Sequence, residues 1–323
     1  MSRLREANYS LSPTVRAEGI SRIQKAAKMA TDEEIKGRRI VQGDPFAGLS
    51  ISALKQLGIQ ILNAKNIWEA YGLLAKPATQ GGESYYDRLF GPQHERGRDV
   101  LKGVFAAYEP TMVEQGLDLG AGTGKSTEVL AAKCRTVTAI DAVPEMLSIA
   151  DARLAKLAEQ RAALGNPLSY SVAQGDATKL EHVPDGVFDI VMEAGIRPYI
   201  GPDEERTYYG EIFRVLKPGG RFYAYYADEQ QPPVYQINAR ARLAGEIVTA
   251  TLALSLITEH EMRATDPPSA ADIGFDQVQS GVIQITQNAA IRAGIKVPNE
   301  FVARWVKPDR PQSNETFHTP RRG

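Results

Sequence analysis

Gly116-Leu117-Asp118-Leu119-Gly120-Ala121-Gly122-Thr123-Gly124 is an apolar strand that runs into glycines at every second position. Residues 124–134, directly beyond it, read as a helix. Glycine is required in such a turn because the chain must reverse sharply and let a ligand approach its backbone with no Cβ in the way. The helix that follows offers unpaired N–H groups and the positive end of its dipole. Two nucleotide-loop readings fail here by one residue each. A phosphate-binding loop ahead of Gly124-Lys125-Ser126 needs a glycine where Leu119 stands. A dinucleotide G-x-G-x-x-G loop needs one where Lys125 stands. The spacing present is G-x-G-x-G.

Working outward, short apolar runs alternate with helical patterns from about 110 to 228. Met112–Leu119, Thr136–Asp141, Leu168–Gln174, Val187–Glu193 and Arg221–Ala227 read as strands, and 144–164 and 203–216 as further helices, Pro144 suiting the first turn of the former. Such alternation predicts a doubly wound α/β fold with a parallel sheet and right-handed crossovers. Asp141 closes the second strand, where a carboxylate can accept hydrogen bonds from both hydroxyls of a ribose. Gln174-Gly175-Asp176-Ala177 puts another acid at the same edge, and Lys217-Pro218-Gly219-Gly220 turns a helix end into the fifth strand.

With four such motifs in order, residues 84–228 resemble a class I S-adenosylmethionine-dependent methyltransferase, within the branch of quinone- and sterol-type enzymes acting on small molecules. The resemblance implies a Rossmann-like sheet of order 3-2-1-4-5-7-6 with the last strand antiparallel. It implies that Asp118, Gly120, Gly122 and Gly124 surround the methionine end of S-adenosylmethionine, that Asp141 with Ala142 holds the ribose, and that Asp176 and Ala177 hold the adenine. It implies that Glu193 and Ala194 line cofactor and acceptor. The segment Ser84-Tyr85-Tyr86-Asp87-Arg88-Leu89-Phe90 is similar to the family's entry helix, whose tyrosine contacts the cofactor, here Tyr86 or Tyr85.

Methyl transfer is an in-line displacement that needs no metal, and it rests on holding donor and acceptor about 3–3.5 Å apart and aligned. A base is needed only where the acceptor carries a proton. Glu193 at the ligand edge and His94 on the entry segment are the candidates, ahead of His260 and of His182 in a surface loop. Arg197 and Tyr199 follow the fourth strand and are candidates to face the acceptor. No Asn/Asp-Pro-Pro-Tyr/Phe motif follows that strand, which argues against exocyclic amines of bases as acceptors.

The flanks differ in texture. Residues 1–83 read as a helical extension, with a capping box at Thr31 and Glu34 and one long apolar stripe, Leu54, Leu57, Ile61, Ala64, Trp68 and Tyr71, over 51–74. That stripe predicts a helix packed on its own domain, a lid, or a seam for a homo-oligomer. The domain of 84–307 holds a helical insertion at 234–264 before two last strands at Gln277–Ser280 and Phe301–Lys307; the Pro- and Arg-containing tail 308–323 reads as disordered. The formal net charge of −1 gives no basic field for nucleic acid, although both ends are basic and the middle acidic. Cys134 is the only cysteine, so neither an intrachain disulfide nor an all-cysteine metal site can form. No apolar run is long enough to span a bilayer and the first residues do not read as a signal peptide, so a cytoplasmic protein with a small-molecule partner is expected. The other readings of the pattern are an NAD-dependent oxidoreductase and a cofactor-binding scaffold without activity.

Overall fold

The computed structural model describes residues 11–35, 44–78, 82–196, 199–227, 235, 237–254, 276–277 and 300–308. Four helices come first: α1 (Pro13–Ile35), α2 (Ile51–Leu62), α3 (Ile67–Leu74) and α4 (Tyr85–Tyr108). Then follow β1 (Val113–Leu119), α5 (Lys125–Ala131), β2 (Cys134–Asp141), α6 (Pro144–Ala163), β3 (Ser169–Gln174), β4 (Phe188–Ala194), α7 (Pro202–Val215), β5 (Leu216–Ala227), α8 (Ala239–Leu252), β6 (Asp276–Gln277) and β7 (Glu300–Val306). The sheet has the expected order, β3-β2-β1-β4-β5-β7-β6. β1 pairs in parallel with β2 and β4, β2 with β3 and β4 with β5, whereas β7 runs antiparallel to β5 and β6.

The central strands are buried on both faces, which is why β1 and β4 carry fully buried Leu117, Leu119, Ile190, Val191 and Met192. Each such side chain contributes roughly 1.5–3 kcal/mol by leaving water. Because all the parallel strands point the same way, the residues that end β1, β2 and β4 meet at one edge. Asp118 lies opposite Ala139 of β2 and Met192 of β4; Leu119 lies opposite Ile140 and Glu193.

Over that edge sits a helical cap built from both flanks. α8 packs on α1 and α2, and one apolar core joins Ile23, Leu54, Ile61, Leu74, Leu243 and Ile247 with Leu89 and Phe90 of α4. Gly58 permits this closeness: a Cβ there would lie 2.5 Å from Ile23 Cδ1 and 3.1 Å from Ile247 Cγ1. Apart from half-buried Trp68, the stripe from Leu54 to Tyr71 is therefore covered from within the chain.

Three local expectations need correction. Residues 51–74 form two helices, not one, because Asn63 ends α2 and the Asn66 side chain accepts the Glu69 N–H to start α3. Thr31 is no cap. Its hydroxyl donates to the Ala27 carbonyl inside α1, where burial of Ala26, Ala27 and Ala30 carries the helix through to Ile35. The helix expected over 234–264 starts at Ala239, where Asn238 caps it through the Ala241 N–H, and ends at Leu252. Of the strand expected at Gln277–Ser280, the structure describes Asp276–Gln277, and residues 278–280 lie outside the described residues. Residues 255–264, including His260, and the tail from 309 lie outside the described residues, as does Arg197.

Candidate active site

The glycine turn is the floor of the site. Gly120, Gly122 and Gly124 have φ of +70°, +53° and +82°, a left-handed backbone that a side chain strains. Crowding adds to the requirement at Gly124, where a Cβ would lie 3.0 Å from the Ala150 backbone of α6. Gly124 caps α5 with no side-chain bond to its N-terminus.

Asp141 ties the turn to the end of β2. Its Oδ2 accepts the Gly122 N–H at 2.8 Å and its Oδ1 the Val143 N–H at 2.8 Å. Burial raises its pKa, and the backbone donors of Val143, Gly122 and Ala142 oppose that shift. Asp118, fully buried, takes two hydroxyls on Oδ2, from Ser126 at 2.8 Å and Thr127 at 2.7 Å. Its Oδ1 has no hydrogen-bond partner among the described residues. Burial pushes its pKa up to about 7 against those two bonds, with the charge of Asp141 adding to the rise. An unsatisfied buried carboxylate oxygen costs free energy, so Oδ1 is an acceptor awaiting a donor.

The entry helix closes one side. Ser84 caps α4 through the Asp87 N–H, and a Cβ on Gly122 would lie 3.8–3.9 Å from the Tyr86 ring and hydroxyl. Tyr86 stacks on Phe90 at 5.1 Å and meets His94 at 5.0 Å, its hydroxyl 3.4 Å from His94 Nε2. The His94 pKa is lowered to about 4, first by burial and then by Lys125, with Asp87 opposing. The ring is thus neutral at pH 7. Tyr85 packs partly buried at the base of the cap, and burial raises its pKa.

Opposite lies the end of β4. Glu193 is fully buried and its Oε2 accepts the Tyr208 hydroxyl at 2.8 Å. Ile196 packs against Gly120, and Tyr199 shares a hydroxyl–hydroxyl bond with Tyr71 of α3. Tyr71 also meets Tyr86 edge-on at 5.6 Å, and Trp68 lies 6.0 Å from Tyr199. A cavity of about 370 Å³, lined by Trp68, Glu69, Gly72, Leu73 and Glu145 among others, opens beside them. Farther along the edge, Asp176 accepts both the N–H and the hydroxyl of Thr178 on Oδ1, and Ala177 is buried.

The residues expected from sequence thus gather at one edge: Asp118, the three glycines, Asp141 with Ala142, Tyr86, His94, Glu193 and Tyr199, with Asp176 and Ala177 beyond Asp141. His182 sits exposed in a turn after Leu180. Sequence reading gave no role to Asp87, Thr123, Lys125 or Arg153, which clamp α4 to the turn. The Thr123 hydroxyl donates to Asp87 Oδ1 at 2.7 Å, and Arg153 reaches Asp87 Oδ2 at 3.1 Å and the Thr123 carbonyl at 2.8 Å. Ser84 three residues before Asp87 was the available signal for this helix start; nothing in the sequence places Arg153 there. Tyr71 and Trp68 were visible only as members of the stripe.

This sheet order, with a glycine turn opening onto a strand-end acid, is that of a class I S-adenosylmethionine-dependent methyltransferase domain. Residues 117–224 match the family model described as a methyltransferase domain. Among curated proteins, the chain is similar to the demethylmenaquinone methyltransferase of Clavibacter sepedonicus, 35% identical over 127 residues, which is 39% of this chain and 46% of that one. It is also similar to nodulation protein S of Rhizobium tropici, 28% identical over 134 residues, 41% of this chain and 51% of that one. The chain therefore spans about half the length of the curated relatives it matches. Among solved structures, the N-methyltransferase NodS of Bradyrhizobium japonicum aligns with a TM-score of 0.41 at 19% identity, covering 67% of this chain and 96% of that one. Phosphoethanolamine N-methyltransferase 2 of Haemonchus contortus aligns with a TM-score of 0.40 at 16% identity, covering 69% and 56%. Among the described residues no helix is long and apolar enough to cross a membrane, and no cluster of His, Cys, Asp or Glu could hold a metal ion.

Proposed function

We propose that the protein transfers a methyl group from S-adenosylmethionine to a small, fairly apolar acceptor in specialised metabolism, working in the reducing cytoplasm that a lone buried Cys134 suits. The observation that carries this reading is the Asp141 carboxylate bonded to the Gly122 N–H beside the unsatisfied Oδ1 of Asp118. Together they make a cradle with an acidic, donor-seeking floor and no Cβ to fill it. When bound, S-adenosylmethionine supplies a methyl group on a sulfonium, which carboxylates and aromatic faces favour.

In this reading Asp118 Oδ1 accepts from the amino group of the methionine end, over Gly120, Gly122 and Gly124. Asp141 and Ala142 hold the ribose, and Asp176 and Ala177 the adenine. Tyr86, with Tyr85 behind it, closes the site. His94, held neutral, keeps the Tyr86 hydroxyl in place rather than carrying a charge. Glu193 takes the proton of an acceptor that has one to give, and Tyr208 orients its carboxylate. Tyr199 and Arg197 face the acceptor, and the aromatic wall of Trp68, Tyr71 and Phe90 keeps water out and matches an apolar molecule. Helices α1–α3 and α8 act as the lid. The name of one curated relative, a demethylmenaquinone methyltransferase, supports a small-molecule acceptor.

Calorimetry with S-adenosylhomocysteine and with NAD, each alone, tests the reading. Binding of the homocysteine compound with none of NAD is expected; the reverse defeats it in favour of an oxidoreductase. Incubation with methyl-labelled cofactor and cell extract then separates an enzyme from a scaffold, since only the enzyme transfers label to a small molecule.

A further inference from the structure

We infer that Asp87 sets the charge preference of the cofactor site, favouring the cationic sulfonium substrate over the neutral thioether product. The inference rests on the cofactor reading above and goes beyond it by assigning this preference to a residue outside the glycine turn.

Two cations flank the turn at its helix end. The Lys125 side chain is only 10% exposed and directly follows Gly124, while Arg153 bonds the Thr123 carbonyl. Left alone, this grouping would repel a sulfonium and leave a neutral thioether untouched. Asp87 is the countercharge. Its side chain is 2% exposed, its Oδ1 lies 3.5 Å from Lys125 Nζ and its Oδ2 lies 3.1 Å from Arg153. Other acids stand near: Glu95 is 3.8 Å from Lys125 Nζ and Glu128 is 3.9 Å from Arg153, and both also pair with Arg98. Glu95, however, is 55% exposed, and water screens its field, whereas Asp87 acts through protein interior. The field of this group reaches the ligand side of α4: Lys125 and Asp87 act in opposite senses on the protonation of His94, whose ring packs against Tyr86 over Gly122.

Asp87 is a positioning residue as well, since it joins α4 to Thr123, so loss of affinity alone would not separate charge from architecture. The ratio of two affinities does. An architectural role weakens both ligands equally; an electrostatic one weakens only the cation. Calorimetry on the full chain would compare S-adenosylmethionine with S-adenosylhomocysteine for wild type, Asp87→Asn, Lys125→Met and the double variant. Asn keeps the shape and the hydrogen bond to Thr123 but removes the charge. The expected result is a ratio shifted about tenfold toward the homocysteine compound in Asp87→Asn, the shift of roughly one unit charge acting through a partly shielded interior. Lys125→Met should shift it the other way, and the double variant should return close to wild type. If Asp87→Asn fails to fold, the Lys125→Met arm decides alone. Equal weakening of both ligands, or a Lys125→Met ratio that stays put or moves toward the homocysteine compound, overturns the inference. A wild-type chain that binds neither ligand overturns instead the cofactor reading beneath it.

Discussion

At the amino ends of the strands, the carboxylate of Glu109 has both oxygens bonded: Arg221 reaches Oε1 at 2.9 Å and also Oε2, and the Tyr223 hydroxyl donates to Oε1 at 2.6 Å. Arg304 of β7 completes the clip by donating to that same hydroxyl. At the carboxyl ends of the strands, Asp118 is just as buried, yet only one of its oxygens is bonded and its proton is held to about pH 7. Neither end is short of side chains that could bond. The difference is that one acid closes a structure, joining α4 to β5 and β7, while the other leaves a bonding position open. Between these two acids, the satisfied carboxylate marks architecture and the unsatisfied oxygen marks a place for a ligand.

The comparison can be broken at either end. Glu109→Ala leaves Arg221 largely buried without its partner, and urea unfolding should show a loss of about 3–5 kcal/mol, with cofactor affinity of the folded protein unchanged. An equal drop in affinity would mean that the two ends are coupled. Asp141→Ala should do the opposite, weakening S-adenosylhomocysteine by about 2–3 kcal/mol in calorimetry, because the ribose loses a charged acceptor, while unfolding changes by less. Binding that survives intact would misplace the ribose.

Two smaller effects depend on pH. His94 has a folded pKa of about 4, below its unfolded value of 6.5, so its neutral form contributes stability that is present above 6.5 and lost as pH falls toward 4. Wild type should lose about 1–2 kcal/mol more than His94→Gln across that window in thermal melts, part of what a full desolvation would give. A parallel pair of curves would show the ring to be hydrated. For Asp118 the shift is upward, from 3.8 to about 7, so the folded chain holds a proton that the unfolded chain releases, and stability falls as pH rises between those values. A ligand donor on Oδ1 favours the carboxylate and expels that proton. Calorimetry in buffers of different ionisation heat at pH 6.5 should therefore register release of a fraction of one proton on binding, absent in Asp118→Asn.

Much of this was legible in the sequence because it depends on local chemistry. The glycine spacing, the acid closing β2 and the alternation of strand and helix texture are all short-range signals, and the sheet followed from them together with the resemblance. The misreadings share one cause. Periodicity alone could not see that Asn63 and Asn66 supply a stop and a start inside one apolar stripe, or that burial against α8 would carry α1 past Thr31. The partners of Asp87 were hidden for a related reason: Thr123 and Arg153 are 36 and 66 residues away, and only the folded turn brings them together.

The cap has an implication for how the chain is made. Its first three helices leave the ribosome early, but the surface they bury against includes α8, which begins at Ala239, beyond all five parallel strands. Until that segment is synthesised, Leu54, Ile61 and Leu74 have no complete partner, and the cap can close only by joining distant parts of the chain, a slow kind of contact to form. Nascent chains stalled before Ala239 should thus be the aggregation-prone species, with the five parallel strands already laid down beneath an unfinished roof.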